Sequence, residues 1–471
     1  MQRLERIEEA KARETEALRD INRMVYLMPS QAGLFEQRTD KIYYFNNQTC
    51  LPGDTILANG NSGADFLWGP NCYLKLIWTV TNTTAGGPAA DSLNFGYGSI
   101  MNLIKEIRVT HVSGEVLEYI QNVNLIANLR ARWDTSRTDQ DKLNTLLGGT
   151  DIDAAAQAGG SKYAGGFVFD INSSGGITAL NQSFVYVPRA NGGVSTGVST
   201  FTSMIPMSYI AGLFDRKDQY IPPALLAGST IQVVLAPAAE AYTASNATIA
   251  ITQIRPSFLY DSSKAFDAAM RAVLNEQSSY DGLQYVYSTY FNTYLTSGTN
   301  SINLDVQQAA TVTESVLAAF RPTTATGATL CTFQATPTQY QWRIASDYKP
   351  QAPVQIGSFA FLTAPASPIF AQSAEAYLQA LKTFENGLHT YSTQVGEGAS
   401  VSVYEYNNFA AVYGTTLERS ACGLSLTGLP TNNASLLNFQ ALKPVQNDRV
   451  DIFLKYLRVA NLRGAGAIVD R

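Results

Sequence analysis

The stretch Ser203–Leu235, "SMIPMSYIAGLFDRKDQYIPPALLAGSTIQVVL", sets helix punctuation beside strand chemistry in one short run. Pro206 is placed to open a helical turn and Gly212 to close it. Proline is pre-set for the first helical position, and glycine reaches the left-handed C-terminal conformation without a steric penalty. Pro222 and Pro223 open a second turn in the same way, and Gly228 closes it. Between the two lies the charged loop Asp215-Arg216-Lys217-Asp218, and after Gly228 comes "TIQVVL", a β-branched run of strand type. The spacing predicts two short helices and then a strand.

Outward from this stretch the chain is strand-rich. Upstream, "YLKLIWTV" (Tyr73–Val80), "IKEIRVTHV" (Ile104–Val112), "GFVFDI" (Gly166–Ile171) and "QSFVYVP" (Gln182–Pro188) are short, β-rich and bounded by Gly, Asn, Ser or Pro. Long Gly/Ser/Thr/Asn-rich loops are expected at Gly148–Gly166 and Ala190–Ser203. In "VNLIANLRARWD", Leu125, Leu129 and Arg132 share one face of a helix. Downstream, "TIAITQIRPSFLYD" (Thr248–Asp261) ends a first module, and "SSKAFDAAMRAVLNEQ" reads as a helix with Phe266, Met270, Val273 and Leu274 on one face. Strands then resume in the Tyr-rich "LQYVYSTYFNTYL" (Leu283–Leu295), in "SINLDV" and in "ESVLAAF". A helix is expected over Ser373–Phe384, and strands again in "ASVSVYEY", "ASLLNFQAL" and "RVDIFLKYLRVANLR". No residue-by-residue repeat links the halves, yet each holds about 200 residues of short strands with helices inserted. Two eight-stranded, two-sheet sandwiches in tandem fit that length and limit exposed edges.

Residues 1 to 29 form the clearest helix. Leu4, Ile7, Leu18, Ile21, Val25 and Met28 fall on the seam positions of a heptad, with Lys11 and Glu14 making the middle of the seam polar. Its acidic and basic residues balance, which favours a protein partner over electrostatic attachment to a membrane or a genome. The dense charge of this segment is unlike a secretory signal.

Composition excludes several classes. The chain has 471 residues, 45% hydrophobic and only 15% charged, with 25 Tyr and 21 Phe. A polar but weakly charged surface suits extensive protein contact. A net charge of −5 speaks against a large nucleic-acid footprint or sequence-specific nucleic-acid binding. Cys50, Cys72, Cys331 and Cys422 lie too far apart for a zinc site and read as buried free thiols. The charge-poor stretches Ala190–Phe214 and Pro350–Ala374 are rich in Gly, Ser and Thr or interrupted by Pro350, Pro353, Pro365 and Pro368, so neither makes a bilayer-spanning helix. Six N-x-S/T triplets, Asn82 and Asn246 among them, read as chance in an Asn-rich chain.

No catalytic, cofactor-binding or metal-ligating set is assigned. His111 and His389 are the only histidines and lack acidic or cysteine company; His111, in a strand-like run, reads as a hydrogen-bonded structural residue. "GVSTG" around Ser195 matches the nucleophile-elbow pattern, but its flanks lack the strand and helix that such chemistry needs. Asp134, Asp139 and Asp141 in "DTSRTDQD" lack the spacing and glycine of a calcium loop and read as a solvated helix-loop boundary. The lack of a catalytic constellation in so long a chain points to a structural role.

The segment "IPMSYIAGLFDRKDQYIPPALLAGSTIQVVL" resembles one in double jelly-roll major capsid proteins of Polinton-like viruses, virophages and related double-stranded DNA viruses, where a helical stretch ending in G-L-F precedes an I-P-P-x-L turn and a strand. Pro206, Gly212, Leu213, Phe214, Ile221, Pro222, Pro223, Leu225 and Gly228 carry that likeness. "IKEIRVTHVSGEVLEYIQNVNLIANL" is similar to the family's strand-Gly-helix passage and "DRVDIFLKYLRVANLR" to its closing strand. The resemblance implies a mainly β protein of two tandem jelly rolls, three copies of which build a pseudo-hexagonal capsomer of an icosahedral shell. It places an N-terminal helical arm at 1–34, a first jelly roll at 35–261, a linker helix at 262–279, a second jelly roll at 280–462 and a tail at 463–471. The two long loops become outer or intersubunit loops and the arm lies on the inner side of the shell. Implied partners are the chain itself, neighbouring capsomers, penton and minor capsid proteins and an internal membrane. Another β-sandwich virion component, such as a glycan-binding spike, and a hydrolase using Ser195 are the alternatives to the structural reading.

Overall fold

The computed structural model describes residues 35–45, 48–59, 66–84, 90–96, 98–135, 137–148, 162–163, 183–188, 197–217, 220–265, 283–334, 336–346, 354–356, 369–370, 374–384, 401, 406–407, 409–417, 429–431, 435–444, 447–463 and 466–470. Its first half contains β1 (Phe35–Tyr44), β2 (Thr55–Asn59), β3 (Phe66–Leu67), β4 (Tyr73–Asn82), β5 (Ala90–Gly96), β6 (Ile104–Thr110), β7 (Val116–Gln121), β8 (Lys162–Tyr163), β9 (Ser183–Pro188), β10 (Gly197–Pro206), β11 (Thr230–Leu235), β12 (Thr243–Ala244) and β13 (Ile249–Ala265). The second half contains β14 (Leu283–Ser297), β15 (Ser301–Val306), β16 (Ala310–Pro322), β17 (Gln339–Ser346), β18 (Val354–Ile356), β19 (Ile369–Phe370), β20 (Tyr413–Thr416), β21 (Leu429–Thr431), β22 (Ser435–Leu442), β23 (Asp448–Arg463) and β24 (Gly466–Asp470). The described α-helical segments used below are α1 (Val123–Trp133), α2 (Arg137–Leu146), α3 (Met207–Ile210), α4 (Pro223–Leu226), α5 (Ala238–Ala241) and α6 (Ala374–Thr383).

Strand order defines the architecture. In the first half one sheet runs β1-β13-β4-β10 and a second β2-β11-β6-β7. In the other half the corresponding sheets run β14-β23-β16-β20 and β15-β22-β17-β18. Counting only the eight principal strands of each half in chain order, both halves give first-eighth-third-sixth on one sheet and second-seventh-fourth-fifth on the other. That is the jelly roll, made twice. The internal repeat absent from the residues is present in the topology. A further sheet, β12-β5-β9-β8, is built from the connections of the first jelly roll.

The cores follow from alternation. In β4, "YLKLIWTVTN", every second residue is buried, and Leu74, Leu76, Trp78 and Val80 enter the sandwich. Each such apolar side chain contributes about 1.5–3 kcal/mol on burial. Trp78 lies against Phe201 at 4.7 Å and donates its indole N–H to Ser203 Oγ at 3.0 Å. In the second sandwich Trp342 packs on Phe439 at 4.7 Å and donates to the Tyr413 carbonyl at 3.1 Å. Both buried indoles thus keep a hydrogen-bond partner.

Several expectations change. The loop expected at Ala190–Ser203 is a strand from Gly197 onward: β10 pairs with β4 from Gly197↔Asn82 to Pro206↔Tyr73. Its Gly/Ser/Thr content hides a polar outer face in which Thr200 Oγ1 meets Thr79 Oγ1 at 3.1 Å. Within Gly148–Gly166, Lys162–Tyr163 form β8. Residues 262–265, read as the start of the linker helix, continue β13 in register with β1; the rest of 262–279 lies outside the described residues. The region read as a tail from 463 carries β24, paired with β23 from Arg463↔Gly466 to Val459↔Asp470. In "ASVSVYEY" the described residues Val401 and Tyr406 are not in a strand. β6 stops at Thr110, so His111 sits in the β6–β7 turn, where Ser113 N–H donates to its Nδ1 at 3.2 Å. Cys50, Cys72 and Cys331 are buried free thiols, with Cys50 and Cys331 pushed up to about 12 chiefly by burial. Asn82 is buried, its amide donating to Asp91 Oδ2 and the Val187 carbonyl, so its triplet cannot carry a glycan as folded. No helix among the described residues is long and apolar enough to cross a membrane.

Candidate functional site: the seam between the jelly rolls

The opening segment joins β10 of one sheet to β11 of the other and so carries the first jelly roll across its sandwich. Pro206 caps α3, and the chain then makes a second, tighter turn over Gly212–Phe214. Gly212 therefore opens a turn rather than closing one. Pro222 caps α4, Pro223 is its first residue, and Gly228 follows with φ +69°. Ile221 exchanges two backbone hydrogen bonds with Leu67, and Phe214 stacks on Tyr260 at 6.2 Å. Leu213, Phe214, Leu225 and Leu226 are all buried.

What this segment packs against gives it its role. The turn Gly212–Phe214 abuts β14 of the second jelly roll. A Cβ at Gly212 would overlap the Ser288 carbonyl oxygen, so only glycine permits the approach. Glu118 of β7, fully buried, ties the contact together. Its Oε1 accepts from Gly212 N–H at 2.8 Å and from the Thr289 hydroxyl at 2.6 Å, and its Oε2 accepts from Leu213 N–H at 3.1 Å. Burial pushes the carboxyl above the ordinary glutamate range, and these three donors and Arg458 pull it partly back. Tyr285 donates its hydroxyl to the Leu213 carbonyl at 2.9 Å.

β7 is an edge strand, and an edge exposes unpaired carbonyls. Here the second jelly roll covers it with side chains. Between Val109↔Glu118 and Thr110↔Val116 the register shifts, leaving Leu117 as an extra residue in a β-bulge. The Leu117 carbonyl accepts from Tyr287 and from Arg458 Nη1, the latter at 2.6 Å, and Arg458 Nη2 donates to the Val116 carbonyl at 3.2 Å.

α1 forms the other side of the seam. All eleven of its residues are buried, as in a helix enclosed on every side. Arg132 and the Trp133 indole donate to the carbonyls of Phe409 and Ala410, each at 3.3 Å, and Trp133 stacks on Phe384 at 5.6 Å. Arg130 holds Asp134 at 3.2 Å and Asp215 at 2.7 Å while its guanidinium lies 5.6 Å from the rings of Tyr209 and Tyr290. Asp215, from the charged loop that the sequence reads as a solvated or intersubunit turn, is anchored by that ion pair. Asp134 is likewise half-buried and ion-paired rather than solvated, and its carboxyl is pushed up by burial. Asn122 Nδ2 reaches Asn292 Oδ1 at 2.6 Å, and Gly96 leaves no room for a Cβ beside Ala328.

Of the residues of the likeness, Gly212, Leu213 and Phe214 form the docking turn, while Pro206 pairs with Tyr73, Ile221 with Leu67, and Gly228 lies beside Val112. Leu4, Ile7, Leu18, Ile21, Val25 and Met28, together with Ser195, Asp141's side chain, His389 and Cys422, lie outside what is described. No group of three or more His, Cys, Asp or Glu among the described residues is placed to hold a metal ion. Sequence reasoning singles out neither Glu118 nor Arg458. The available signals are the adjacent buried pair Leu117-Glu118, which breaks two-residue alternation, and the tyrosines of β14, whose hydroxyls need partners once buried.

Topology and seam together make this chain a double jelly-roll protein. Its fold is shared with a chain of the PBCV-1 virus capsid (TM-score 0.56, 9% identity, covering 94% of this chain and 98% of that one). It is shared with the Faustovirus major capsid protein (0.53, 10%, 94% and 94%). It is shared too with a chain from the cryo-EM structure of the Sputnik virophage (0.54, 11%, 93% and 89%). No protein-family model matches the sequence, and no curated protein matches it by sequence. At such identities the likeness is one of fold.

Proposed function

We propose that this chain is the major capsid protein of an icosahedral double-stranded DNA virus, a structural protein three copies of which form a pseudo-hexagonal capsomer. The observation that carries this is the doubled strand order. Two jelly rolls locked by a seam of glycine contacts and buried hydrogen bonds give a rigid block with two similar lobes, and chains of that fold in the PBCV-1 and Faustovirus structures are capsid proteins. Three such blocks supply six similar lobes around one axis. Jelly rolls at 35–261 and 280–462, an inner-face arm carrying Leu4, Ile7, Leu18, Ile21, Val25 and Met28, and contacts to neighbouring capsomers, penton and minor capsid proteins belong to this reading. Electron microscopy of the purified protein tests it: particles of threefold symmetry and hexagonal outline are expected, and a protein that stays monomeric at every salt and protein concentration overturns it.

A further inference from the structure

The outer face of the second jelly roll's β15-β22-β17 sheet carries a cleft of about 320 Å³, within the range of small-ligand sites. Its whole lining comes from those three strands. Two-residue alternation sends Ser301 and Asn303 of β15, Gln339 and Gln341 of β17, and Gln440 and Leu442 of β22 to this face, while the residues between them turn into the sandwich. Register sets these six in two rows, Ser301-Leu442-Gln339 and Asn303-Gln440-Gln341.

The second row is a chain of carboxamides. Gln341 Nε2 donates to Gln440 Oε1 at 2.7 Å, and Gln440 Nε2 donates to Asn303 Oδ1 at 3.4 Å. In the row beyond, Asn438 Nδ2 donates to Asn303 Oδ1 at 2.6 Å and to Asp305 Oδ1 at 2.7 Å. These bonds fix the amides in orientation and use only part of their capacity, since each amide has two N–H donors and two acceptor lone pairs. Asn438 is 8% exposed and its Oδ1 has no hydrogen-bond partner, so the network beside the cleft stays open on an acceptor. Next to the amides Leu442, 49% exposed, forms an apolar ledge. The fold itself does not require such a row. On the matching sheet of the first jelly roll, the row through β2, β11 and β6 reads Leu57-Gln232-Arg108, a single amide beside a cation.

The chemistry of the lining selects the ligand. No charged side chain lines the cleft, so an ionic ligand would give up water without meeting a counter-charge. A wholly apolar ligand would leave the remaining amide donors and acceptors unpaired. β22 is already paired with β15 on one side and β17 on the other, so an extended peptide cannot add to it as a strand. A sugar ring meets all three conditions: it is neutral, has hydroxyls along its edge and offers a C–H face to Leu442. We propose that this cleft binds a neutral oligosaccharide, whose hydroxyls pair with Asn303, Gln440 and Gln341 and whose ring lies on Leu442. Adjacent strands are about 4.8 Å apart, so the amide row spans about 9–10 Å and suits two linked sugars rather than one. The site is complete within one chain, and it adds to the capsomer reading a ligand which that reading does not require.

Saturation-transfer NMR on the full-length protein tests it, with lactose, maltose and cellobiose as neutral probes and tetraalanine and citrate as peptide and anionic probes. Transfer is expected to at least one disaccharide and to neither of the other two. Asn303→Leu combined with Gln440→Leu removes the amides from two outward positions and is expected to weaken sugar binding about tenfold or more, with far-UV circular dichroism and melting temperature retained. Gln440→Glu keeps the size of the side chain but loses the donor to Asn303, and it is expected to weaken binding as well. No transfer to any of the three sugars, or transfer undiminished in both variants, overturns the proposal. Transfer to tetraalanine or citrate alone overturns it in favour of a peptide or an anion site. The capsomer reading stands or falls separately, on the symmetry of the particles.

Discussion

Gly212 and Glu118 show how much of the assembly rests on single atoms. Gly212→Ala sets a Cβ against a backbone oxygen that cannot move without shifting β14. A loss of about 3 kcal/mol or more is expected, toward or beyond the upper end of core overpacking. Gly228→Ala meets only the Val112 side chain at 3.2 Å and suffers mainly from φ +69°, so it is expected to cost about 1–2 kcal/mol. Denaturant titration of the two variants checks the order. Glu118→Gln replaces one acceptor oxygen by an amide NH2 that faces a donor, which costs about 1–3 kcal/mol. The pH dependence has a definite sign. The folded carboxyl holds its proton to higher pH than the unfolded one, so the stability Glu118 contributes is complete below about pH 4.3 and is lost as pH rises through the raised value. The Gln variant lacks this titration, and its deficit relative to wild type should shrink as pH rises from about 4.3 through the raised value. A deficit that grows over that range contradicts the assignment.

At the scale of elements, β7 is an edge strand made safe by its neighbour. The Leu117 carbonyl has two donors, Tyr287 and Arg458. Tyr287→Phe leaves Arg458 in place and is expected to cost about 0.5–1.5 kcal/mol, whereas Arg458→Met leaves Tyr287 on Leu117 but also removes the donor to the Val116 carbonyl and is expected to cost about 1.5–3 kcal/mol. Together they orphan a buried carbonyl, and the double variant should exceed the sum of the singles by about 0.5 kcal/mol or more in a denaturation cycle. Elements of this kind explain what was legible in the sequence. β4 and β11 alternate cleanly and α1 has its apolar spacing, so the two-residue and helical periods identify them. β10 is read as a loop because Thr200 and Thr202 face outward while Ser199 and Ser203 face inward, so a hydrophobic period of two is not visible in it. The seam is hidden for a different reason. Glu118, Arg130 and Arg458 look like surface charges one residue at a time, and only the bulge at Leu117 and the approach at Gly212 turn them inward. The helical punctuation of Ser203–Leu235 was readable, but its purpose lay in a partner surface more than fifty residues away.

For the whole molecule the question is whether two jelly rolls behave as two domains or as one. Their buried apolar residues form one continuous cluster, running from Trp78 and Leu213 in the first to Tyr285, Tyr287 and Trp342 in the second. The polar groups between them are paired across the seam at Glu118, Arg458, Arg132 and Trp133. Separating the lobes therefore exposes apolar surface and leaves buried donors and acceptors without partners, so neither lobe gains from unfolding alone. Calorimetry of the wild type should give a single transition whose calorimetric and van't Hoff enthalpies agree. Glu118→Ala combined with Arg458→Met strips the β7 side of the seam while leaving the α1 hydrogen bonds and both sandwich interiors, around Trp78 and Trp342, as they are. Two backbone N–H groups lose their acceptor, at about 1–3 kcal/mol each. The endotherm of that variant is expected to split into two, the lower belonging to the lobe that depends more on the seam for its burial. A single transition, merely shifted down, would mean that the apolar cluster and the α1 hydrogen bonds couple the lobes and that the β7 side of the seam sets their relative position without setting their cooperativity.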